Sequence, residues 1–393
     1  MQSFNFKCPT EIIFGRGAEE QAAAKVKEYG GNRVFVVYGG GSAVKSGLIS
    51  RLERDLADRG MVFELMGGVK PNPTLAFARQ GINRAVNFGA DFILGVGGGS
   101  VIDTAKGIAH GTANPDIDIW AFWTGRTKLE RTLPVGAVLT IAAAGSESSN
   151  SAVLTNEDTG KKAGLNTELN RPVFAVMNPE LLFTLPPRQI ACGVADIFMH
   201  TLERYFTKIE GNNFTDLVAE ALLTNVIENG RIAFTHRKNY DAQSEIMWCG
   251  SVSHSNFTEL GRMKDFSVHR LGHELSGKFD VPHGESLTAM WGSWARFVYA
   301  EDVPRFARYA EKVWGANSGN DIERARAGIR MTEDFFRELK LPTNFTELGI
   351  GVQDDASLEY LADMFSDYGK KTVGVFHPLN RDTALKIYRA ANR

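Results

Sequence analysis

Only three cysteines, Cys8, Cys192 and Cys249, occur in the 393 residues, odd in number and far apart. That spacing excludes a disulfide framework and a cysteine-based zinc site, and it suits a reducing compartment. The expectation is a cytoplasmic protein. Charge of one sign is also missing: 44 Lys+Arg stand against 46 Asp+Glu, a formal net charge of −2, with no long run of either. Neither a nucleic-acid footprint nor a polybasic membrane patch is present, so no nucleic-acid or membrane partner is expected. The N-terminus, MQSFNFKCPTEIIF, lacks an apolar signal core, and no later segment approaches the roughly 18 apolar residues of a membrane span. Internal repeats and low-complexity tracts are absent. What remains is an enzyme-sized chain, long enough for two domains with substantial cores.

Residues 1–180 alternate short apolar runs with helical patterns. Segments 33–38 (RVFVVY), 62–65, 91–96 (DFILGV), 133–140 and 173–176 read as strands, with helices between them at 47–59 and 75–88. Alternating βα units imply a parallel sheet with helices on both faces. Beyond residue 185 helical periodicity takes over, at 216–229, 243–253, 304–314, 322–339 and 383–392. The expected organisation is a Rossmann-like α/β domain over 1–180 and an all-α domain over 181–393, with a hinge at 178–187. Tryptophans cluster at Trp120/Trp123, Trp248 and Trp291/Trp294, where core packing is a better expectation than a substrate channel. His236 and His254 carry no motif and are expected at the surface.

Chemistry concentrates in two stretches. In 185–205, LPPRQIACGVADIFMHTLERY, Pro186 and Pro187 suit a helix start. Asp196 and His200 then project from one face, one turn apart. A carboxylate oxygen and an imidazole nitrogen so placed can hold a divalent metal, although a surface hydrogen bond is the commoner use of such a pair. In 266–287, FSVHRLGHELSGKFDVPHGESL, three of the eight histidines fall within fifteen positions. His269 and His273 share a helical face, and His283 sits in a Pro–His–Gly turn. Spacing alone does not choose between His269 and His273 as ligand. His273–Glu274 does not open an HExxH site, because Gly277 stands where the second histidine is needed.

Two glycine clusters end predicted strands. Gly97–Gly98–Gly99–Ser100 closes one and opens the helix VIDTAK, so bare backbone and free N–H groups can meet an anion. Ser100 with Asp103 fits a capping box with Asp in place of Glu. Gly39–Gly40–Gly41–Ser42 ends the earlier strand, where NAD enzymes commonly place a carboxylate for the ribose 2′-hydroxyl. No Asp or Glu occurs between Val34 and Leu52, and Ser42 and Lys45 could serve a 2′-phosphate.

Together with FNFKCPTEIIFGRGA, YGGGS, KPNPT and AAGSESSN, these motifs run in order along nearly the whole chain. The sequence resembles the iron-containing (group III) alcohol dehydrogenase family, and within it the NADPH-dependent butanol dehydrogenase/aldehyde reductase branch. The resemblance implies one divalent metal, iron or zinc, on Asp196, His200, His269 and His283, with His273 beside nicotinamide and substrate. It implies NADP(H), its pyrophosphate on Gly97–Ser100 and its 2′-phosphate at Gly39–Ser42. Asn72 would border the adenosine end, Thr140 and Ser149 would reach the nicotinamide half, and Lys162 and Asp103 would belong to the same cofactor site. A small alcohol or aldehyde is the implied substrate, and a homodimer the implied assembly. The family's usual TGTGSE reads AAAGSE here, which removes two hydroxyls from that loop. Polyol dehydrogenases and dehydroquinate synthase share the superfamily. The latter needs a basic pocket, and 266–287 offers only Arg270 and Lys278 besides histidine. A non-catalytic metal or nucleotide sensor would need the same ligands without substrate access, and turnover of NADPH with butanal separates it from an enzyme.

Overall fold

The computed structural model describes all of residues 1–393. Its chain divides into two compact units, one of Lys7–Leu185 and one of Met1–Phe6 with Pro186–Arg393. No helix is long and apolar enough to cross a membrane.

The first unit is built on a six-stranded parallel sheet of order β1-β8-β5-β4-β2-β3. Its strands are β1 (Glu11–Phe14), β2 (Arg33–Gly39), β3 (Val62–Val69), β4 (Phe92–Gly97), β5 (Val135–Leu139) and β8 (Phe174–Met177). β4, β5 and β8 are buried at every residue, which explains why they read as continuous apolar runs. Alternation along β2 separates two cores. Val34 and Val36 pack with Leu52 and Leu56 of α3 (Leu48–Asp58) and with Ala22 and Val26 of α1 (Ala22–Glu28). Phe35 and Val37 pack on the other face, against Ala85 of α4 (Leu75–Phe88) and Ala105 and Ile108 of α5 (Gly99–Ala113). Two single turns, α2 (Ser42–Lys45) and α6 (Trp120–Trp123), complete the helices of this unit.

Three strands escaped the sequence reading. β1 is short and finds its only partner, β8, more than 150 residues later. β6 (Ser151–Asn156) and β7 (Lys161–Asn166) form a separate antiparallel pair whose outer strand is largely polar. Apolar residues of β6 cover Trp120 and Trp123, which are core residues as expected. β3 also runs four residues beyond the predicted strand.

The second unit is helical: α7 (Pro187–Tyr205), α8 (Asn213–Thr235), α9 (Tyr240–His254), α10 (Ser267–Phe279), α11 (His283–Val298), α12 (Val303–Trp314), α13 (Asp321–Glu338), α14 (Asp355–Phe365) and α15 (Arg381–Ala391). α14 was not anticipated. Within α7 every residue from Ile190 to Tyr205 except Cys192 is buried, the signature of a helix enclosed on all sides rather than amphipathic. Trp291 and Trp294 are fully buried beside Phe206, while Trp248 is exposed. The first residues belong here too, with Gln2 N donating to Gly261 O at 3.0 Å. All three cysteines are free, as their spacing predicts.

Candidate active site

Three helices carry the histidine-rich site. α7 starts at Pro187, with Pro186 as its N-cap, so the first turn loses no hydrogen bond to proline. Asp196 and His200 follow on one face, both buried. α10 begins after Phe266, whose left-handed backbone (φ 60°) turns the chain into the helix that carries His269 and His273. Asp280, also left-handed, ends α10, and Pro282 caps α11, which makes His283 its first residue. A Cβ on Gly284 would lie 2.5 Å from the Cys192 carbonyl oxygen, so only glycine lets α11 approach α7 this closely.

The donors converge on one carboxylate oxygen. Asp196 Oδ1 is 3.6 Å from His200 Nδ1, 3.4 Å from His269 Nε2 and 3.6 Å from His283 Nε2. These separations are too long for good hydrogen bonds. They match instead the roughly 3.4 Å between neighbouring ligands that each lie about 2.1 Å from a shared tetrahedral cation. His200 Nδ1 and His269 Nε2 are buried without a hydrogen-bond partner, an expense that a cation would remove. The residues therefore fit a divalent metal. Ligand atoms of Asp196, His200 and His269 all lie within 4.8 Å of one another. His283, its side chain 26% exposed, stands at the rim. The His273 ring lies 5.2 Å from that of His283 and 6.2 Å from that of His269, placing it beside the cluster.

Electrostatics differ between the buried pair. Burial, reinforced by His254 and His269, holds the His200 pKa well below the usual imidazole range. Burial acts the same way on His269, but the carboxylates of Glu203 and Asp196 outweigh it and push the pKa up to about 9. A cation between the two rings would take the place of that proton.

Sequence reasoning missed two neighbours of this site. His254, expected at the surface, is buried at the end of α9 with its ring 4.2 Å from that of His200. Its position depends on how α9 packs against α7, and no local pattern reports that. Glu203, three residues after His200, is fully buried, accepts hydrogen bonds from Val268 N at 2.6 Å and His269 N at 3.1 Å, and sets its second carboxylate oxygen against His269 Nδ1. No local signal marked it, because Glu203 stands between Leu202 and Arg204 in the sequence and its burial comes from helix packing.

The glycine-rich elements lie in the other unit. β4 runs into Gly97 and Gly98, and α5 starts at Gly99 with no acidic residue in its first turn. Side chains here would strike the protein itself: a Cβ at Gly97 would meet Val101 at 2.4 Å, and one at Gly99 would meet Ala144 at 3.1 Å. The first amides of α5 remain available to an anion. The expected Ser100–Asp103 capping box is not formed. Gly98 is the N-cap, so Ser100 lies inside the first turn. Asp103 accepts instead from Ser146 Oγ and from Val153 N at 2.9 Å.

Buried Lys106, one turn further along α5, donates to Ser146 O at 2.7 Å, Ser151 O at 2.7 Å and Ser149 O at 3.4 Å. Burial lowers its pKa to about 8. Asp103 and Lys106 thus tie the 146–151 loop, including Ser149, to the helix that opens at the glycines. Thr140 follows β5, its N–H bonded to Gly97 O at 3.0 Å. Asn72, with a left-handed backbone (φ 56°), accepts from Lys162 Nζ at 3.1 Å. The contact arises because Lys162 pairs with Thr155 across β6–β7, and Thr155 N bonds Pro73 O at 2.8 Å. Gly39 ends β2, and Gly40 and Gly41 lead into α2, where Ser42 is the first residue and Lys45 the last. The Lys45 stem folds back to within 4.0 Å of where a Gly41 Cβ would stand.

Comparison with known proteins joins these observations. Residues 9–179 match the iron-containing alcohol dehydrogenases, and residues 190–392 match the C-terminal part of the same family. The chain belongs to the iron-containing alcohol dehydrogenase family. Among its relatives, the NADH-dependent butanol dehydrogenase A of Clostridium acetobutylicum is 35% identical, with 99% of each chain covered. The NADPH-dependent aldehyde reductase YqhD of Escherichia coli is also 35% identical, over 100% of both chains. Among solved structures, NADH-dependent butanol dehydrogenase A from Thermotoga maritima superposes with a TM-score of 0.95 at 29% identity, over 100% of this chain and 99% of that one. E. coli YqhD superposes at 0.93 with 34% identity and the same coverage. Family membership agrees with the parallel sheet of the first unit and the helical second unit.

Proposed function

We propose that the chain interconverts primary alcohols and aldehydes, with NADP(H) as hydride carrier and one divalent metal, iron or zinc. The observation that carries this reading is the cluster of Asp196, His200 and His269, three buried donors converging where two ring nitrogens lack a hydrogen-bond partner. With His283 they would hold the cation. When bound, it would supply Lewis acidity at the substrate oxygen. His273 passes the alcohol proton between substrate and solvent. Gly97–Ser100 and the first amides of α5 bind the pyrophosphate, and Asn72 and Lys162 border the adenosine end. Thr140 and the loop that carries Ser149, held by Asp103 and Lys106, support the nicotinamide half. Three free cysteines suit a cytoplasmic enzyme, and a homodimer is the assembly we expect. The test is NADPH and NADH oxidation over an aldehyde series that begins with butanal, beside metal analysis of protein purified without added metal. Absence of both turnover and metal would overturn the reading.

One named relative uses NADH and the other NADPH, so the preference for NADP rests on this chain's own residues. No carboxylate lies between Val34 and Leu52, while Ser42 and Lys45 occupy the turn after β2. A Cβ on Gly39 would meet nothing closer than Val101 Cγ2 at 3.7 Å, so a side chain can start there without a clash. A carboxylate about 4 Å from a 2′-phosphate would be repelled by roughly 4 kcal/mol at an effective dielectric near 20, before salt screening. A tenfold change in preference needs only about 1.4 kcal/mol. Gly39→Asp is therefore expected to shift the NADPH/NADH ratio of kcat/KM toward NADH by at least roughly tenfold, chiefly through the KM for NADPH. A wild-type enzyme that already prefers NADH would refute the assignment.

A further inference from the structure

Glu203 is the fully buried carboxylate that touches a candidate ligand without facing the cation site itself. One of its oxygens, Oε1, accepts from two successive backbone amides, Val268 N and His269 N. The other, Oε2, meets His269 Nδ1, while His269 Nε2 is the nitrogen 3.4 Å from Asp196 Oδ1. A backbone amide can only donate, so the Oε1 contacts fix the orientation of the carboxylate. For the ionised carboxylate Oε2 is then left as an acceptor, and Nδ1 carries the proton of that contact. In the neutral ring, a proton on Nδ1 leaves the Nε2 lone pair bare and directed into the cluster. The backbone supports the same arrangement: Glu203 O accepts from Asp265 N at 2.8 Å, and Asp265 accepts from Ser267 N, Val375 N and Phe376 N. Glu203 and Asp265 thereby tie α7 to the first turn of α10.

We propose that Glu203 is a positioning residue that selects the Nδ1–H tautomer of His269 and so makes its Nε2 a metal ligand. This rests on the reading of Asp196, His200, His269 and His283 as the metal site. The decisive variant is Glu203→Gln, nearly identical in shape. Its amide oxygen stays with the two backbone donors, because the opposite orientation would set an amide NH2 against two N–H groups. The NH2 then faces Nδ1 and can be accommodated only if Nδ1 is an acceptor, which puts the proton on Nε2 and blocks ligation.

The measurement is Co²⁺ and Zn²⁺ affinity of wild-type and Glu203→Gln protein by competition with a chelator, beside thermal unfolding of the metal-free forms and the visible spectrum of the cobalt forms. Outer-sphere partners of ligating histidines typically change affinity 10–100-fold, so a loss of at least tenfold with an altered cobalt spectrum is expected. Equal affinity in a folded variant would overturn the proposal. A wild-type protein that binds neither metal would instead overturn the metal-site reading beneath it. Should the variant fail to fold, ¹⁵N-histidine spectra of zinc-loaded wild-type protein decide the matter. A proton on His269 Nδ1 with Nε2 on zinc supports the proposal, and the reverse assignment refutes it.

Discussion

Replacing His283 with alanine is expected to remove nearly all turnover and strip most of the bound metal while leaving the protein folded. The side chain is 26% exposed and stands at the first position of α11, where Pro282 and the Gly284 contact with Cys192 set the helix start without it. Alanine is well tolerated in helices, so the stability cost should be small. The functional cost should not be. His283 Nε2 lies 3.6 Å from Asp196 Oδ1, a separation matching two ligands of one cation. Loss of a ligand should exceed the 10–100-fold effect typical of an outer-sphere partner, so affinity should fall by more than about 100-fold. A fall in kcat/KM of about 1,000-fold, roughly 4 kcal/mol, is expected at limiting metal. Metal content, kcat/KM and the unfolding temperature check this together. Full metal content and full rate in the variant would remove His283 from the ligand set.

His273→Ala should separate proton transfer from metal binding. His273 is one turn beyond His269 on α10, partly exposed, with its ring beside that of His283. Its replacement is expected to keep the metal, lower kcat by the roughly 10²–10⁴-fold typical of a lost acid–base group, and alter the pH profile. Partial recovery with added imidazole would mark a missing proton carrier. If the variant loses metal as His269→Ala should, the two histidines have exchanged roles.

Much of this site was legible because its information is local. Asp196/His200 and His269/His273 are helix-face pairs, and Pro282–His283–Gly284 is a turn that presents its histidine. β2, β4, β5 and β8 announced themselves because strands covered on both faces read as unbroken apolar runs. The parts that stayed hidden depend on distant partners. β1 is a strand because β8 lies beside it, and β6–β7 stands out only once its apolar side meets Trp120 and Trp123. The predicted capping box failed for a related reason: α5 begins at Gly99, and Asp103 found stronger partners in Ser146 and Val153.

From its sequence alone, then, the chain determined which residues can donate to a metal, where backbone must stay bare for a ligand, and which segments become helices or buried strands. These depend on side-chain chemistry and on periods of two or 3.6 residues, which operate over one or two turns. Tertiary structure decided that His254 lies against His200, that Lys162 reaches Asn72, and that Glu203 stands behind His269. Such contacts join positions 54, 90 and 66 residues apart, and they are set by helix packing and strand register. A buried carboxylate must find a partner, because leaving it unpaired is too costly. Which atom that partner presents is decided only when the helices pack.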